Sequence, residues 1–532
     1  MKMKRAAAFA LAAAIMFSFS ACKIGGSKGA NKTINYSLSA EPATLDPQIA
    51  TDEASITVVQ ALFEGLTRLD ANLTPQPGVA SSWEHNSGST QFTFHLRPDA
   101  KWSSKKYGPV TADDFVYAFQ RALDPKTGSV TCTQMYCIKN AKAIHDGKLP
   151  VSSLGVKASD AKTLVVVLES SCPDFPKLTA QCVYMPCNKK FFQETAGHYG
   201  LETNHLLGNG PFRIDGAYGW EHGKYINLAR SSTYIGKAAP KPSAVDFSIG
   251  TVNQSNSVST LKNQTVDAAP ISSSQADSAK SIGCTLASVQ DTTLILCFNT
   301  KSSAFNSQNV RCAFAKAINR SAVMSHLPGN SAAANSILLP DTMVDGRKYS
   351  DISGGPFYLK ENAKEACRLY SSAGGNVSAT VLCQDDSSVK LMLNEMITSW
   401  NSRFSNYFNM KPLSLNSLQS QVKSGSYDAA IIPIKPSDNR PDNLLSIFTG
   451  NSSNNPSQFK DAYYDSLLSN AQSKSGKDAA ASYAAAEKYL NDQAVIYPLC
   501  YEKSFYAVAK GVSGIIFRPY GGGPDFINAI KG

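Results

Sequence analysis

Residues 110–125, VTADDFVYAFQRALDP, carry the strongest structural signal in this chain of 532 residues. Thr111 can cap a helix, and two aspartates in the next turn suit the positive end of the helix dipole. An Asp-Pro dipeptide ends the pattern, because proline cannot continue a helix. One face is apolar and contains Phe115, Phe119 and Ala122. The stretch therefore predicts an amphipathic helix over residues 111–123 that packs on a core.

Strand and helix patterns alternate on both sides of this helix. Upstream, we predict a strand at 33–40, a helix at 54–66 and a hairpin at 83–96. Downstream strands are predicted at 163–168, 210–214, 225–228, 245–249 and 294–298, and helices at 310–319, 363–370, 388–404 and 479–491. Alternation over the whole length, without an internal repeat, predicts a mixed α/β protein, and the length favours two lobes with a cleft.

Several aromatic residues and glycines have a structural interpretation. Six aromatic residues stand at strand or helix spacing and are predicted to lie in the core: Trp83, Phe94, Trp102, Phe115, Tyr117 and Phe119. Gly65, Gly78 and Gly210 are predicted to serve turns.

The first 22 residues, MKMKRAAAFALAAAIMFSFSAC, have the pattern of an export signal. Three basic residues precede an apolar run that is too short for a permanent membrane helix, which needs about 20 apolar residues. We therefore predict a signal peptide over residues 1–21. Small residues before Cys22 resemble a bacterial lipobox, so Cys22 is the predicted lipidation site and residues 22–32 a flexible tether. The alternative is ordinary cleavage near Ala21 and a freely secreted protein.

The charge and the cysteine content argue against two functions, nucleic-acid binding and zinc binding. The formal charge of +10 falls to +7 without the three basic residues of the signal peptide, and no basic block supports nucleic-acid binding. Beyond Cys22 there are eleven cysteines, and two pairs lie five positions apart: Cys132 with Cys137, and Cys182 with Cys187. In an exported chain we expect one or two local disulfides and buried thiols for the rest. Zinc is the weaker alternative, because no Cys-x-x-Cys occurs, and we expect no metal and no cofactor.

The order of short motifs resembles the bacterial extracellular solute-binding proteins of the oligopeptide and dipeptide type, family 5. The similarity runs from about residue 34 to residue 530, and each piece alone is a weak pattern. The pieces are EPATLDP at 41–47, ALFEGLTRLD at 61–70, PGVASSW at 77–83, FTFHLRPDAKW at 92–102, the helix stretch at 110–125, GNGPFRI at 208–214, CFNTKSSAFNSQNVRCAFAKAINR at 297–320, SGSYDAAIIP at 424–433 and AVIYPLCYEKSF at 494–505.

The resemblance implies a two-lobed, periplasmic-binding-protein-like α/β fold with discontinuous lobes and an extra subdomain. Lobe I would take residues 33–74, 204–292 and 497–532, and a subdomain at 75–203 would be attached to it. Lobe II would take residues 293–496. Ligand would lie between the lobes, and their closure over it would be what an importer recognises.

The resemblance also implies a binding mode and a set of cleft residues. The extended backbone of a peptide would pair with strand edges while its side chains enter wet pockets, so that specificity is broad. The positions carried over are Ser39, Ala40, Glu41, Leu294, Phe298, Asn299, Ile434, Lys435, Ser437, Asp438 and Tyr501. For Leu294 and Phe298, burial in the core is an equal alternative.

Residues 433–441, PIKPSDNRP, depart from the family pattern. Peptide-binding relatives typically have Gly-Trp and then an Asp that pairs with the ligand's amino group. In this chain Ile434 occupies the position of the Trp, and Ser437 occupies the position of the Asp. Either Asp438 shifts in to bind the ammonium, which is the interpretation we favour, or the site does not select free amines. Lys435 and Arg440 could meet a carboxylate or phosphate, with solvated surface as the alternative.

Together these features predict a monomeric, extracytoplasmic peptide-binding lipoprotein without enzymatic activity. It would capture oligopeptides and deliver them to the permease subunits of an ABC importer, anchored to the outer face of the cell membrane, which is the periplasmic side where an outer membrane exists. Alternatives are another solute (a sugar oligomer, a metal chelate or a modified peptide) or a ligand sensor without transport. Residues 25–29, GGSKG, fit a hydrolase motif, but their place in the tether makes this a false match.

Overall fold

The computed structural model describes residues 32–236, 239–253, 255–329, 331–405 and 408–532. The predicted signal peptide, Cys22 and almost all of the tether lie outside the described residues. Within the described ranges, no helix has the length and apolar character needed to cross a membrane.

The strands are named in chain order. They are β1 (Thr33–Leu38), β2 (Thr67–Leu69), β3 (Pro75–Pro77), β4 (Ala80–His85), β5 (Gln91–Leu96), β6 (Val156–Asp160), β7 (Thr163–Val167), β8 (Phe212–Ile214), β9 (Trp220–Glu221), β10 (Tyr225–Arg230), β11 (Ala244–Ile249), β12 (Ala268–Ile271), β13 (Thr285–Phe298), β14 (Ala332–Ala333), β15 (Met343–Val344), β16 (Arg347–Lys348), β17 (Ala379–Gln384), β18 (Phe408–Leu413), β19 (Ala429–Ile434), β20 (Ile496–Val508), β21 (Val512–Ser513) and β22 (Ile530–Lys531).

The α-helices are named in the same way. They are α1 (Glu53–Leu62), α2 (Ala112–Leu123), α3 (Ala141–His145), α4 (Phe175–Leu178), α5 (Lys189–Glu194), α6 (Ser257–Lys262), α7 (Ala276–Ser281), α8 (Gln308–Lys316), α9 (Arg320–Met324), α10 (Tyr349–Ile352), α11 (Ala363–Ser372), α12 (Ser387–Phe404), α13 (Leu415–Ser424), α14 (Pro441–Leu445), α15 (Ala462–Gln472) and α16 (Gly476–Asp492). Single turns of 3₁₀-helix connect several of them.

Helix α2 confirms the prediction made from residues 111–123. Thr111 is its N-cap, and the Asp114 carboxylate accepts a hydrogen bond from the Thr111 backbone N–H at 2.8 Å. Phe115, Phe119 and Ala122 are fully buried, as the apolar face predicts. Burial is also the main cause that raises the pKa of Asp114 to about 6.

Two long antiparallel strands, β13 and β20, join the halves of a twelve-stranded sheet. Its order is β18-β17-β19-β13-β20-β12-β1-β11-β10-β8, with β14 paired to β20 and β9 to β10. Residues 293–298 of β13 pair with β19, whereas residues 505–508 of β20 pair with β12. The sequence predicted only residues 294–298 of β13. Its first nine residues, TLASVQDTT, lack apolar alternation and are held as a strand by pairing with β20.

Separate hydrophobic cores lie on the two sides of these strands. One contains residues from β1, α1, α2, β11 and the C-terminal segment, and it includes the four-stranded sheet β4-β5-β7-β6. Two others are built almost wholly from residues 294–500 and cover the two faces of β19 and β17. The exact lobe and subdomain boundaries given above remain predictions.

The local disulfides expected from cysteine spacing are not formed. All eleven described cysteines are free thiols. Cys132 Sγ lies 2.9 Å from His145 Nδ1, and Cys137 Sγ lies 3.8 Å from the Tyr184 hydroxyl. Burial raises the pKa of Cys182 and of Cys187 to about 12, so these thiols stay protonated. The expectation of buried thiols is confirmed for most of them, and the local pairing is wrong because neighbours five positions apart point to different partners.

Candidate functional site

Two cavities lie beside the crossing strands β13 and β20. The larger, of about 420 Å³, is lined by the end of β1, the start of α1, the N-cap of α12 and residues 502–506 of β20. The smaller, of about 240 Å³, is lined by residues 50–56, by the 3₁₀ segments at 131–134 and 181–183, and by residues 518–522. Glu53, Lys435 and Tyr506 line both cavities and are called the junction below.

A β-bulge places an acidic side chain beside the junction. The register between β13 and β20 shifts between Gln290 and Thr292, so Asp291 is the extra residue. Bulges re-aim side chains and are common next to functional sites. The Asp291 side chain is 8% exposed and lines the smaller cavity.

Lys435 completes an ion pair with this carboxylate. It follows β19, and its Nζ lies 2.9 Å from Asp291 Oδ2 and 3.4 Å from Ser504 Oγ. Ser504 Oγ itself donates to Asp291 Oδ2 at 2.8 Å, and Thr292 Oγ1 donates to Asp291 Oδ1 at 3.0 Å. Both oxygens of the buried carboxylate are therefore occupied, while the Lys435 side chain stays 54% exposed to the cavities.

The larger cavity has an acidic wall. Glu53, Asp386 and Glu502 line it, together with Lys435 and Lys503. Burial first, and then the charges of Asp386 and Asp291, raise the pKa of Glu502 to about 7, against the opposing charge of Lys435. This end of the cleft can therefore exchange a proton near neutral pH.

The loop after Lys435 does not present a free carboxylate to either cavity. Asp438 is 4% exposed, accepts the Arg440 backbone N–H at 2.8 Å and pairs with the Arg440 guanidinium at 3.0 Å. Ser437 Oγ accepts from Gln134 Nε2 at 3.1 Å and from Asn443 Nδ2 at 2.6 Å. The favoured interpretation, in which Asp438 slides in to meet a ligand ammonium, has no support in this geometry, because Arg440 already neutralises the acid.

The other predicted site residues fall into three groups. Ser39, Lys435 and Ser437 line the cavities. Leu294, Phe298 and Ile434 are buried in cores, which favours the packing alternative for the first two. The rest lie elsewhere: Ala40 is exposed, Glu41 accepts hydrogen bonds from Trp220, His222 and Gly223, and Asn299 donates to the carbonyls of Tyr427 and Gly425.

Tyr501 belongs to a small apolar cluster at the seam between the predicted lobes. The Tyr501 cluster consists of Leu73, Ala334, Leu339, Tyr501 and Tyr520. Polar contacts also cross the seam: Gln134 reaches Ser437, and Ser170 Oγ donates to the Gln472 carbonyl at 3.0 Å. These contacts hold the two sides of the cleft together.

Several residues that line the cavities were not predicted from the sequence. They are Glu53, Asp291, Asp386, Glu502, Ser504 and Tyr506. For Asp291 a signal existed, since a lone acid stands in a run that is otherwise neutral. For Glu502 and Tyr506 the sequence contains no such signal, because strand alternation alone does not indicate which face of a strand lines a cavity.

Known proteins share this architecture. A family model for bacterial extracellular solute-binding proteins, family 5 (middle), matches residues 74–456. The oligopeptide-binding protein OppA of Bacillus subtilis (strain 168) is 26% identical over 530 residues, covering 93% of this chain and 94% of that protein.

Two solved structures share this fold. Haemophilus influenzae OppA in complex with RPPGFSPFR superimposes with a TM-score of 0.79 at 24% identity, covering 94% of this chain and 99% of that one. The unliganded open form of the periplasmic murein tripeptide-binding protein MppA gives 0.65 at 25% identity, covering 94% and 97%. In this structure, hydrogen bonds and apolar contacts join the two sides of the cleft across the seam, so the cleft is closed.

The family match and the fold agree with the resemblance found in the sequence. The matched residues include β13, β19 and α12, which build much of the cleft. The fold is the two-lobed, mixed α/β solute-binding fold. The chain belongs to the bacterial extracellular solute-binding proteins of family 5.

Proposed function

We propose that this protein binds oligopeptides in the closed cleft and delivers them to an ABC importer. The observation that carries the proposal is the pair of adjoining cavities, which are enclosed by both sides of the cleft and meet at Glu53, Lys435 and Tyr506. The relatives named above bind oligopeptides or a murein tripeptide, and their folds match this one. An extended peptide could pass through both cavities along the ends of β1 and β19.

Polar lining and free volume favour broad specificity. The larger cavity is lined by hydroxyl, amide and charged side chains as well as apolar ones, so water can fill whatever a ligand side chain leaves empty. Ligand would act by stabilising the closed arrangement, which the permease subunits would recognise.

The test is native mass spectrometry of the purified mature protein, followed by denaturation and sequencing of released molecules. A mixture of short peptides supports the proposal. A single non-peptide solute, such as a sugar oligomer or a metal chelate, would contradict it and favour the alternative ligand class.

We further propose that Cys22 is lipidated and holds the protein at the outer face of the membrane. The support is the sequence alone: an export signal, small residues before Cys22 and a polar tether after it. Cys22→Ser should move the protein from the membrane fraction to the soluble extracytoplasmic fraction while ligand binding is retained. Equal membrane association of both proteins would contradict the anchor.

A further inference from the structure

The ion pair between Lys435 and Asp291 bears on which ligands the cleft selects. Lys435 reaches the junction from the end of β19, which pairs with β13 just beyond the bulge that carries Asp291. Because the pair lies where the two cavities meet, a ligand that fills both must pass it.

In this ion pair the Lys435 ammonium is accessible to a ligand as a hydrogen-bond donor, whereas the Asp291 carboxylate is not accessible as an acceptor. An ammonium has three N–H groups, and two of them point at Asp291 Oδ2 and Ser504 Oγ, at 2.9 Å and 3.4 Å. The third is open to the cavities, because the Lys435 side chain is 54% exposed. Asp291 is 8% exposed, and both of its oxygens already accept hydrogen bonds.

A second ammonium is disfavoured at the same place. It would find the Asp291 carboxylate occupied and would be repelled by the Lys435 charge. Glu53 also lines the junction but is exposed, so solvent and salt screen its charge. Asp438 is paired with Arg440 and offers no substitute. Asp386 accepts two backbone N–H groups of α12, and burial raises the pKa of Glu502 to about 7, which weakens its negative charge near neutral pH.

We propose that Lys435 is a specificity-determining residue that supplies the cleft with its own ammonium, so that the junction binds a ligand oxygen and does not require a free α-amine. The ligand oxygen would be a main-chain carbonyl or a carboxylate. This inference rests on the proposed peptide-binding function and names the peptide class: N-terminally blocked and free peptides should both bind.

The test is a competition between two pentapeptide libraries of the same composition, one with free and one with acetylated N-termini. The mature protein is incubated with an equimolar mixture, and bound peptides are counted by mass spectrometry. In the wild type, the ratio of acetylated to free peptides should lie within about threefold of one or favour the acetylated form.

Removing the lysine should create the selectivity that the wild type lacks. In Lys435→Met, Asp291 loses its cation, and free-amine peptides should be enriched about tenfold over acetylated ones, because their ammonium replaces that of Lys435. Lys435→Met combined with Asp291→Asn should restore a ratio near one. Lys435→Arg should behave as the wild type.

A matched control lies outside both cavities. Lys510 follows β20, is exposed and, within the described ranges, forms no ion pair, so Lys510→Met should leave the ratio unchanged. A tenfold wild-type preference for free amines, or an unchanged ratio in Lys435→Met, would overturn the inference alone. If neither library binds, the proposed function fails, and the inference with it.

Discussion

At the residue scale, the Glu487 carboxyl group is buried outside the cleft, and this burial affects its pKa. Glu487 of α16 is fully buried and accepts three hydrogen bonds, from Ser336 Oγ at 2.6 Å, the Ile337 backbone N–H at 2.9 Å and the Tyr349 hydroxyl at 2.8 Å. Burial outweighs these donors and raises the pKa of Glu487 from 4.5 to about 7. The carboxyl thus ties the loop before β15 to a core helix.

This burial makes the protein's stability depend on pH. Between about pH 4.5 and 7 the unfolded chain has lost the Glu487 proton while the folded chain keeps it, so this group's contribution to stability falls as pH rises and is constant above 7. Glu487→Gln cannot titrate. Its free energy of unfolding, relative to wild type, should therefore rise by roughly 2 kcal/mol from pH 5 to pH 8 in urea denaturation.

A second variant separates titration from lost hydrogen bonds. Glu487→Ala leaves three donors without a buried acceptor and should be destabilised by several kcal/mol at both pH values. If the stability curves of Glu487→Gln and the wild type run parallel from pH 5 to pH 8, Glu487 does not carry the raised pKa.

The glycines predicted to serve turns allow close approach of neighbouring backbone. Gly65, Gly78 and Gly210 all lack positive φ angles, and each lies against neighbouring backbone. A Cβ on Gly210 would lie 2.6 Å from the Leu62 carbonyl carbon and the Phe63 nitrogen at the end of α1. Gly78 and Gly210 lie at bends of the chain, and close approach of two backbones, not a positive φ angle, is the reason for glycine at all three positions.

Gly210→Ala should lower the free energy of unfolding by about 2 kcal/mol, since the end of α1 must move to make room. Gly88→Ala is the matched control, because its Cβ would meet only the Thr90 side chain at 3.8 Å or more, and it should change stability by less than about 0.5 kcal/mol. Equal effects of the two substitutions in urea denaturation would argue against the close approach.

At the element scale, the starts of the predicted helices and the lengths of most predicted short strands agree with the structure, whereas the length of the long strand β13 does not. Residues 388–404 were predicted as a helix, and α12 runs over Ser387–Phe404. Capping residues and apolar spacing are local properties, so the sequence contains them. The first half of β13 is a strand because β20 pairs with it, and no local pattern announces that.

The N-cap of α12 gives a prediction for one element. Asp386 Oδ1 accepts the backbone N–H groups of Ser388 and Val389 at 2.9 Å and 3.2 Å. Asp386→Ala should cost about 1 kcal/mol of stability, whereas Asp386→Asn keeps an accepting oxygen and should cost much less. If urea denaturation shows the same loss for both, the negative charge matters and not the cap.

At the scale of the whole molecule, closure depends on contacts distant in sequence. Leu73, Tyr501 and Tyr520 meet Ala334 and Leu339 in the Tyr501 cluster, and Leu339 is 2% exposed there. These side chains would gain exposure if the cleft opened. The cluster therefore stabilises the closed arrangement by hiding apolar surface.

Leu339→Ala should weaken peptide binding several-fold by shifting the molecule toward an open form. Small-angle scattering should show a larger radius of gyration without ligand, and the loss of unfolding stability should be modest. Leu338→Ala is the control: Leu338 lies in a core built from residues 295–496, so it should lose 2–5 kcal/mol of stability without a change in the open fraction. The reverse pattern would contradict a role for the Tyr501 cluster in closure.

The sequence by itself determined the class of fold, the family, most of the helices of nine or more residues and several short strands. These depend on local periodicity, capping and the order of motifs, all of which a single chain displays. It also predicted Lys435 and Ser437 as cleft residues, and both line the cavities. Only the tertiary structure decided which acids face the cleft: Arg440 neutralises Asp438, and a bulge turns Asp291 toward Lys435. The physical reason is that the charge a ligand meets depends on pairing between segments far apart in the chain, and such pairing leaves no periodic trace in the sequence.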